Sequence, residues 1–311
     1  PDITPKDANL CEGATVTYST PENTGNEYRW TVTGGTCNTG NYNTYRTIAE
    51  GGSSIEVTWN NTGSGTIEVE ERVGSSGPVG KASQDYVIYK QPDSFTPSLS
   101  KNPICEGNST NIVIASSESG ITYQLHLSSD DSEVGDPVPG TGGSISLPTD
   151  NLTDTTEFYV TAYNLGCEIS SETLEVDVLP EPEAYDITPL VTDTAICEGD
   201  AGVEIGLDGS ETGVVYDLYV DGSTAGSTVN GTDNAISFGE QTEEGIYTVE
   251  AYREEVNTCT QIMNGSVDLT VHSAPSANAG SDTSVCYGNS VQLEASGGID
   301  YSWDPETGLD N

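Results

Sequence analysis

Seven cysteines carry most of the reactive chemistry that this sequence could support. Four recur in one setting: LCEGATV at 10–16, ICEGNST at 104–110, ICEGDAG at 196–202 and VCYGNSV at 285–291. Each has an aliphatic residue, then Cys, one further residue, and Gly. Thiols in such a motif could bind a metal, cycle between redox states or cross-link the chain. A structural zinc site takes about four Cys/His ligands at close spacing, and a redox pair usually shows C-x-x-C. The sequence has no C-x-x-C, and its only histidines are His126 and His272. Cross-linking is the chemistry that remains.

Cys105 and Cys167 are 62 residues apart, and so are Cys197 and Cys259. Cys11 is followed by Cys37, and Cys286 stands alone before the sequence stops. Two cysteines per complete repeat predict one disulfide inside each: Cys11–Cys37, Cys105–Cys167 and Cys197–Cys259, with Cys286 taking a partner beyond this fragment. Disulfides place the chain in an oxidising, extracellular setting. By the chain-entropy model, closing a loop of ~60 residues stabilises by roughly 4 kcal/mol.

Other chemistry is sparse, and the chain reads as a non-enzyme. A Ser-His-Asp arrangement needs a histidine held by an acid, but His126 lies in a strand-like stretch and His272 at the end of one, as surface or edge residues would. No nucleophile elbow, phosphate loop or dinucleotide fingerprint is present. Among 50 acidic residues some pair always suits a glycosidase, so that signal is uninformative. The best local cluster is Asp130, Asp131, Glu133 and Asp136, hard oxygen ligands in a Gly-bearing loop that are a candidate Ca²⁺ site. Its spacing is not that of an EF-hand, and a solvated acidic hairpin tip is the favoured reading. Residues 304–310 form a second acidic tip.

These residues are positioned by a repeat. The motif cysteines at 11, 105, 197 and 286 are 94, 92 and 89 residues apart, too long for a solenoid unit of ~20–50 residues and suited to a β-sandwich of ~100. Apolar residues alternate with Thr, Glu and Asp in short runs such as 15–18, 54–59, 66–70, 157–163, 173–178 and 266–271, the pattern of antiparallel strands with one buried face. Pro-bearing stretches at 91–103, 180–195 and from 273 read as stiff connectors. The expected architecture is all-β: tandem sandwiches at 1–91, 92–181 and 182–274, and the start of a truncated fourth at 275–311. The second and third align along their length. The first and fourth share Tyr-x-Trp, at Tyr28–Trp30 and Tyr301–Trp303. Trp30 and Trp303 are expected in cores near the disulfides, and Tyr163 and Tyr252 also in cores.

Lys and Arg number 8 against 50 Asp and Glu, a net charge of −42. After Lys101 the only basic residue is Arg253. Such a surface repels phosphate backbones and anionic lipid, which argues against nucleic-acid and membrane partners. The acidity suits solubility and mutual repulsion along a long chain. No apolar run approaches the ~18 residues of a membrane span, and no signal peptide is visible.

At this point the residues resemble a known family. The first repeat, "LCEGATVTYST…YRWTVTGGTC…IEVTWNNTGSGTIEVEE", and the fourth, "VCYGNSVQLEASGGIDYSWDPETGLDN", are similar to PKD-like domains of giant Bacteroidetes surface proteins. The second, with "YQLHL…VGDPVPGTGGSISLPTDNLTDTTEFYVTAYNLGC", and the third resemble Ig-like repeats of gliding-motility adhesins of the SprB type. The third departs most, with "YVDGSTAGSTVNGTDNAISF" in place of the second's loop. The resemblance implies modular extracellular Ig-like domains, export by the type IX secretion system and a place on the outer surface of a Gram-negative cell. It also implies O-glycosylation, for which Thr155 (in Asp154-Thr155-Thr156) and Thr194 (in Asp193-Thr194-Ala195) are candidates. The function expected is structural and adhesive: a repeat region that projects from the cell and contacts surfaces or partners. A polysaccharide-binding module, or a non-catalytic appendage of a secreted hydrolase, stands beside it. Expected partners are neighbouring domains of the same long chain, surface polysaccharide and other outer-surface proteins.

Overall fold

The computed structural model describes residues 1–6, 9–189 and 194–309. Alternation sets the architecture. Within Thr156–Asn164, Phe158, Val160 and Ala162 face inward, and within Gly245–Arg253, Tyr247, Val249 and Ala251 do the same. Side chains on one strand alternate between faces, so one residue further along each strand Tyr163 and Tyr252 fall outside the core and are only half-buried. The period that makes the strand legible corrects their assignment to the interior.

The chain separates into two compact units, Pro1–Pro180 and Glu181–Asn311. The first holds two sandwiches with separate cores. One core is aromatic, built on Tyr18, Tyr28, Trp30, Trp59 and Tyr86; the other is built on Ile112, Tyr123, Leu125, Phe158 and Val160. Tyr18, Trp59 and Tyr86 pack ring to ring, with centroids 5.1–6.2 Å apart. The Trp59 indole N–H donates to the Tyr18 hydroxyl at 3.0 Å, and the Trp30 N–H to the Gly52 carbonyl at 2.8 Å. These bonds let polar rings stay buried without an orphaned donor. Among the described residues, the second unit has one core, on Ile205, Tyr216, Leu218, Tyr247 and Val249.

The motif strand is not the opening strand of its sandwich, as its position at the head of each repeat suggests. Ser98–Leu99 precedes it in the second sandwich and pairs with Asn111–Ile114; Ile187–Pro189 precedes it in the third and pairs with Val203–Leu207. The Pro-bearing stretches read as connectors thus contain a strand of the domain that follows.

The motif strand itself runs parallel to the last strand of its own sandwich. Cys11 is opposite Tyr89, Cys105 opposite Leu179 and Cys197 opposite His272. The next residue's N–H donates to that partner's carbonyl at 2.8 Å in all three, from Glu12, Glu106 and Glu198. The chain then reverses through a turn closed by Ala14, Asn108 and Asp200 N–H groups on the cysteine carbonyls, at 2.9, 3.1 and 3.0 Å. The third residue of that turn is Gly13, Gly107 or Gly199, with φ of +85°, +78° and +92°. This is type II geometry, which demands glycine there. The Gly of the repeated motif is explained by this turn.

Among the described residues of 273–309 there is no strand, only an isolated bridge between Asn278 and Ser296. Cys286 keeps the motif turn, with Asn289 N–H on its carbonyl at 3.0 Å and Gly288 at φ +86°. Trp303 is half-buried rather than enclosed. Residue 310, the end of the second acidic tip, lies outside the described residues.

Candidate functional site at the junction of two sandwiches

The motif places its cysteine at the pole where the chain leaves the sandwich. In the second and third sandwiches the second cysteine of the repeat lies at the opposite pole. Cys167 is opposite Asn164, at the end of the strand Thr156–Asn164, across a two-residue turn of Leu165 and Gly166, both with positive φ. Thr156, at the start of that strand, is opposite Val176, close to Leu179 and hence to Cys105. Eight strand steps at ~3.3 Å put the two cysteines roughly 25 Å apart, whereas a disulfide needs Cα atoms about 4.4–6.8 Å apart. The expected Cys105–Cys167 bridge is therefore excluded. The same geometry excludes Cys197–Cys259. Cys197 adjoins His272, beside the start of the strand Gly245–Arg253, while the Arg253 N–H at its far end bonds the Cys259 carbonyl at 3.1 Å.

Cys167 is bonded to Cys11 instead, with Cα atoms 5.5 Å apart. The bridge joins the first sandwich to the second. It forms because Cys11 sits beside Tyr89, where the chain departs, and the Leu165–Gly166 hairpin sits where it arrives. The expected Cys11–Cys37 bridge is absent: Cys37 is a free thiol. It lies on Thr36–Cys37, paired with Ser54–Thr58 in the opposing sheet, and packs against the aromatic core. Burial pushes its pKa up. Cys197 and Cys286 are exposed free thiols. Cys105 and Cys259 are disulfide-bonded.

Noncovalent contacts reinforce the junction. The Gln91 side-chain amide donates to the Glu168 carbonyl at 2.8 Å, and the Asn164 amide to the Lys90 carbonyl at 3.5 Å. The Lys90 ammonium pairs with Glu118 and, at 3.3 Å, with Asp93. Glu118 beside it holds the Lys90 pKa above its ordinary range. Glu118 also accepts the Asp93 N–H at 2.6 Å, and its own N–H donates to the buried Tyr123 hydroxyl at 2.9 Å. The third sandwich repeats the device within its own unit. Glu211 N–H donates to the Tyr216 hydroxyl at 2.9 Å, and its carboxylate pairs with Arg253 at 2.9 Å. That accounts for the lone basic residue after Lys101.

The remaining candidate residues do not converge. Asp130, Asp131, Glu133 and Asp136 are all exposed. The Asp130 carboxylate accepts the Ser132 N–H and hydroxyl at 3.1 and 2.7 Å, and Asp131 accepts the Tyr159 hydroxyl at 3.1 Å. Among the described residues no three Asp, Glu, His or Cys side chains are grouped to hold a metal ion. Thr155 is exposed, its hydroxyl accepting the Val178 N–H at 3.1 Å. Thr194 is half-buried, and Asp193 of its motif lies outside the described residues. His126 stacks on Tyr159, with centroids 5.0 Å apart and planes at 11°; His272 is exposed. Two clefts, one lined by Ser128, Ser129, Thr155, Thr156 and Glu157 and one by residues within 278–296, contain no aromatic ring. No described helix is long and apolar enough to cross a membrane.

Comparison with known proteins identifies one family. Residues 92–180, the second sandwich, match the family described as Ig-like domain CHU_C associated. No curated protein matches the chain. Solved structures with similar folds include an ICAM-5 D1–D4 ectodomain fragment, with 13% identity over 90% of this chain and 78% of that one and a TM-score of 0.37. Another is the I-band fragment I67–I69 of titin, with 13% identity, 85% and 95% coverage and a TM-score of 0.39. A third is the full ectodomain of mouse nectin-like molecule 4, with 11% identity, 92% and 99% coverage and a TM-score of 0.31.

Proposed function

We propose that this chain is a load-bearing, adhesive stretch of a long extracellular bacterial surface protein, projecting from the cell to contact surfaces or partner molecules. The Cys11–Cys167 bridge carries this reading. A covalent tie across a domain junction resists bending and separation, which a catalytic or freely jointed chain does not need. The Ig-like family match over 92–180 supports a place among Bacteroidetes surface proteins. Export by the type IX system, a gliding-motility role and glycosylation at Thr155 or Thr194 belong to the same proposal.

Pulling the chain by its ends tests the load-bearing role. Tension entering at Pro1 passes from Cys11 to Cys167 and spares the residues between. At about 3.3–3.6 Å per extended residue, roughly 500 Å of length stays hidden until a reductant is added. Equal extension before and after reduction would overturn the reading.

A polysaccharide-binding role is favoured by one observation, the His126–Tyr159 ring pair on the outer face of the second sandwich, with Asp131 hydrogen-bonded to Tyr159. A glycan array probed with the chain and with Tyr159→Ala distinguishes the two. Binding that Tyr159→Ala abolishes supports the module; no binding leaves the stalk.

A further inference from the structure

Cys11, Cys105 and Cys197 occupy one position in three sandwiches. Each ends the strand parallel to the last strand, and each opens the same turn. Their backbone hydrogen bonds agree within 0.2 Å. Two of the three are oxidised: Cys11 is bonded to a hairpin cysteine of the sandwich that follows it, and Cys105 is disulfide-bonded. Cys197 alone is a free thiol, and it is exposed.

We propose that Cys197 is a covalent docking point for a further Ig-like sandwich, bonding to a cysteine on a tight β-hairpin like that of Leu165, Gly166 and Cys167. The occupant is the sandwich into which the chain continues. Cys197 adjoins His272, where the chain leaves its own sandwich, as Cys11 adjoins Tyr89. At the Cys11 junction that placement brings the next domain's hairpin within bonding distance. Cys286 is not the partner, because it occupies a motif turn of its own and not a hairpin. The partner cysteine then follows residue 311.

The bond forms by exchange with a disulfide-bearing oxidant. The Cys197 thiolate attacks one oxidant sulfur to give a mixed disulfide and release a thiol. The partner thiolate then attacks the Cys197 sulfur and expels the second thiol. Two protein thiols become one disulfide, and one oxidant disulfide becomes two thiols. Nothing in this depends on what the array adheres to.

The test is peptide mapping of the full-length secreted protein, alkylated with iodoacetamide without reduction. The expected result is a Cys197 peptide linked to one whose cysteine lies between two strand sequences after residue 311. Alkylated Cys197, a link to Cys37 or Cys286, or a Cys197–Cys197 dimer would overturn it. In full-length Cys197→Ser, one new alkylatable thiol per chain is expected at the partner cysteine. If that variant fails to fold, the wild-type map decides alone.

Discussion

The Cα atoms of Cys11 and Cys167 lie 5.5 Å apart across 156 residues of sequence. One opens the motif turn at the departing pole of the first sandwich, the other belongs to the hairpin at the arriving pole of the second. The bond thus fixes a relationship between domains, where an intradomain bridge would only have shortened a loop.

Tryptic cleavage after Lys90 tests the bond directly. In the wild-type chain the two pieces stay together on a non-reducing gel and separate on a reducing one. In Cys167→Ser they separate on both. By the chain-entropy model a loop this long stabilises by about 5 kcal/mol, so the melting temperature of the variant should fall below that of the oxidised wild type and stay above that of the reduced wild type, which also loses the disulfide bonding of Cys105 and Cys259.

Acid should weaken the first sandwich through Glu70. This buried carboxylate is paired with Lys81 and Arg29 and accepts the Tyr45 hydroxyl at 2.9 Å. The Lys81 ammonium contributes most to holding its pKa at about 2, against 4.5 in the unfolded chain. A depressed carboxylate pKa stabilises the fold above the unfolded value, and that stability drains away between about pH 4.5 and 2. Denaturant titrations at pH 7, 4 and 2.5 should show the loss, and Glu70→Gln should be less stable at pH 7 with a flatter acid limb.

Gly65→Ala should destabilise the first sandwich. A Cβ at Gly65 would meet the Trp59 ring at 2.0 Å, and that ring is wholly buried. Overpacking of this kind costs about 1–3 kcal/mol, readable as a lower denaturant midpoint with altered tryptophan fluorescence.

The three free thiols should differ in rate. Cys37 is part-buried with a raised pKa, while Cys197 and Cys286 are exposed. Nucleophilic attack proceeds through the thiolate, so iodoacetamide at pH 8 should label Cys37 last in the native 311-residue chain. Equal rates for all three would show that the aromatic core does not shelter it.

Alternation made the strands legible because it is local. Val267, Leu269 and their polar neighbours announce Val267–His272 without reference to anything distant. The repeated Cys-x-Gly motif was visible for the same reason: Gly107 lies two residues from Cys105. The cysteine pairing was not. The equal spacing of Cys105–Cys167 and Cys197–Cys259 reflects two domains of like build, and spacing is silent about which pole each residue occupies. That depends on the parallel pairing of Cys11 with Tyr89, a contact over 78 residues. One local signal pointed the other way. The first sandwich's corresponding hairpin reads Gly74-Ser75-Ser76-Gly77 and has no cysteine, so the first two cysteines never matched the later pairs.

The Cys11–Cys167 connectivity also orders events in time. During synthesis from the N-terminus, Cys11, Cys37 and Cys105 emerge before Cys167. An oxidant acting on thiols as they appear would join the earliest pair and trap a wrong loop. The native bond skips two available thiols, so both sandwiches must finish folding before oxidation, or a wrong bond must be reshuffled over seconds to hours. The bridge therefore serves as a proofreading step: it closes only when two neighbouring domains are correctly built.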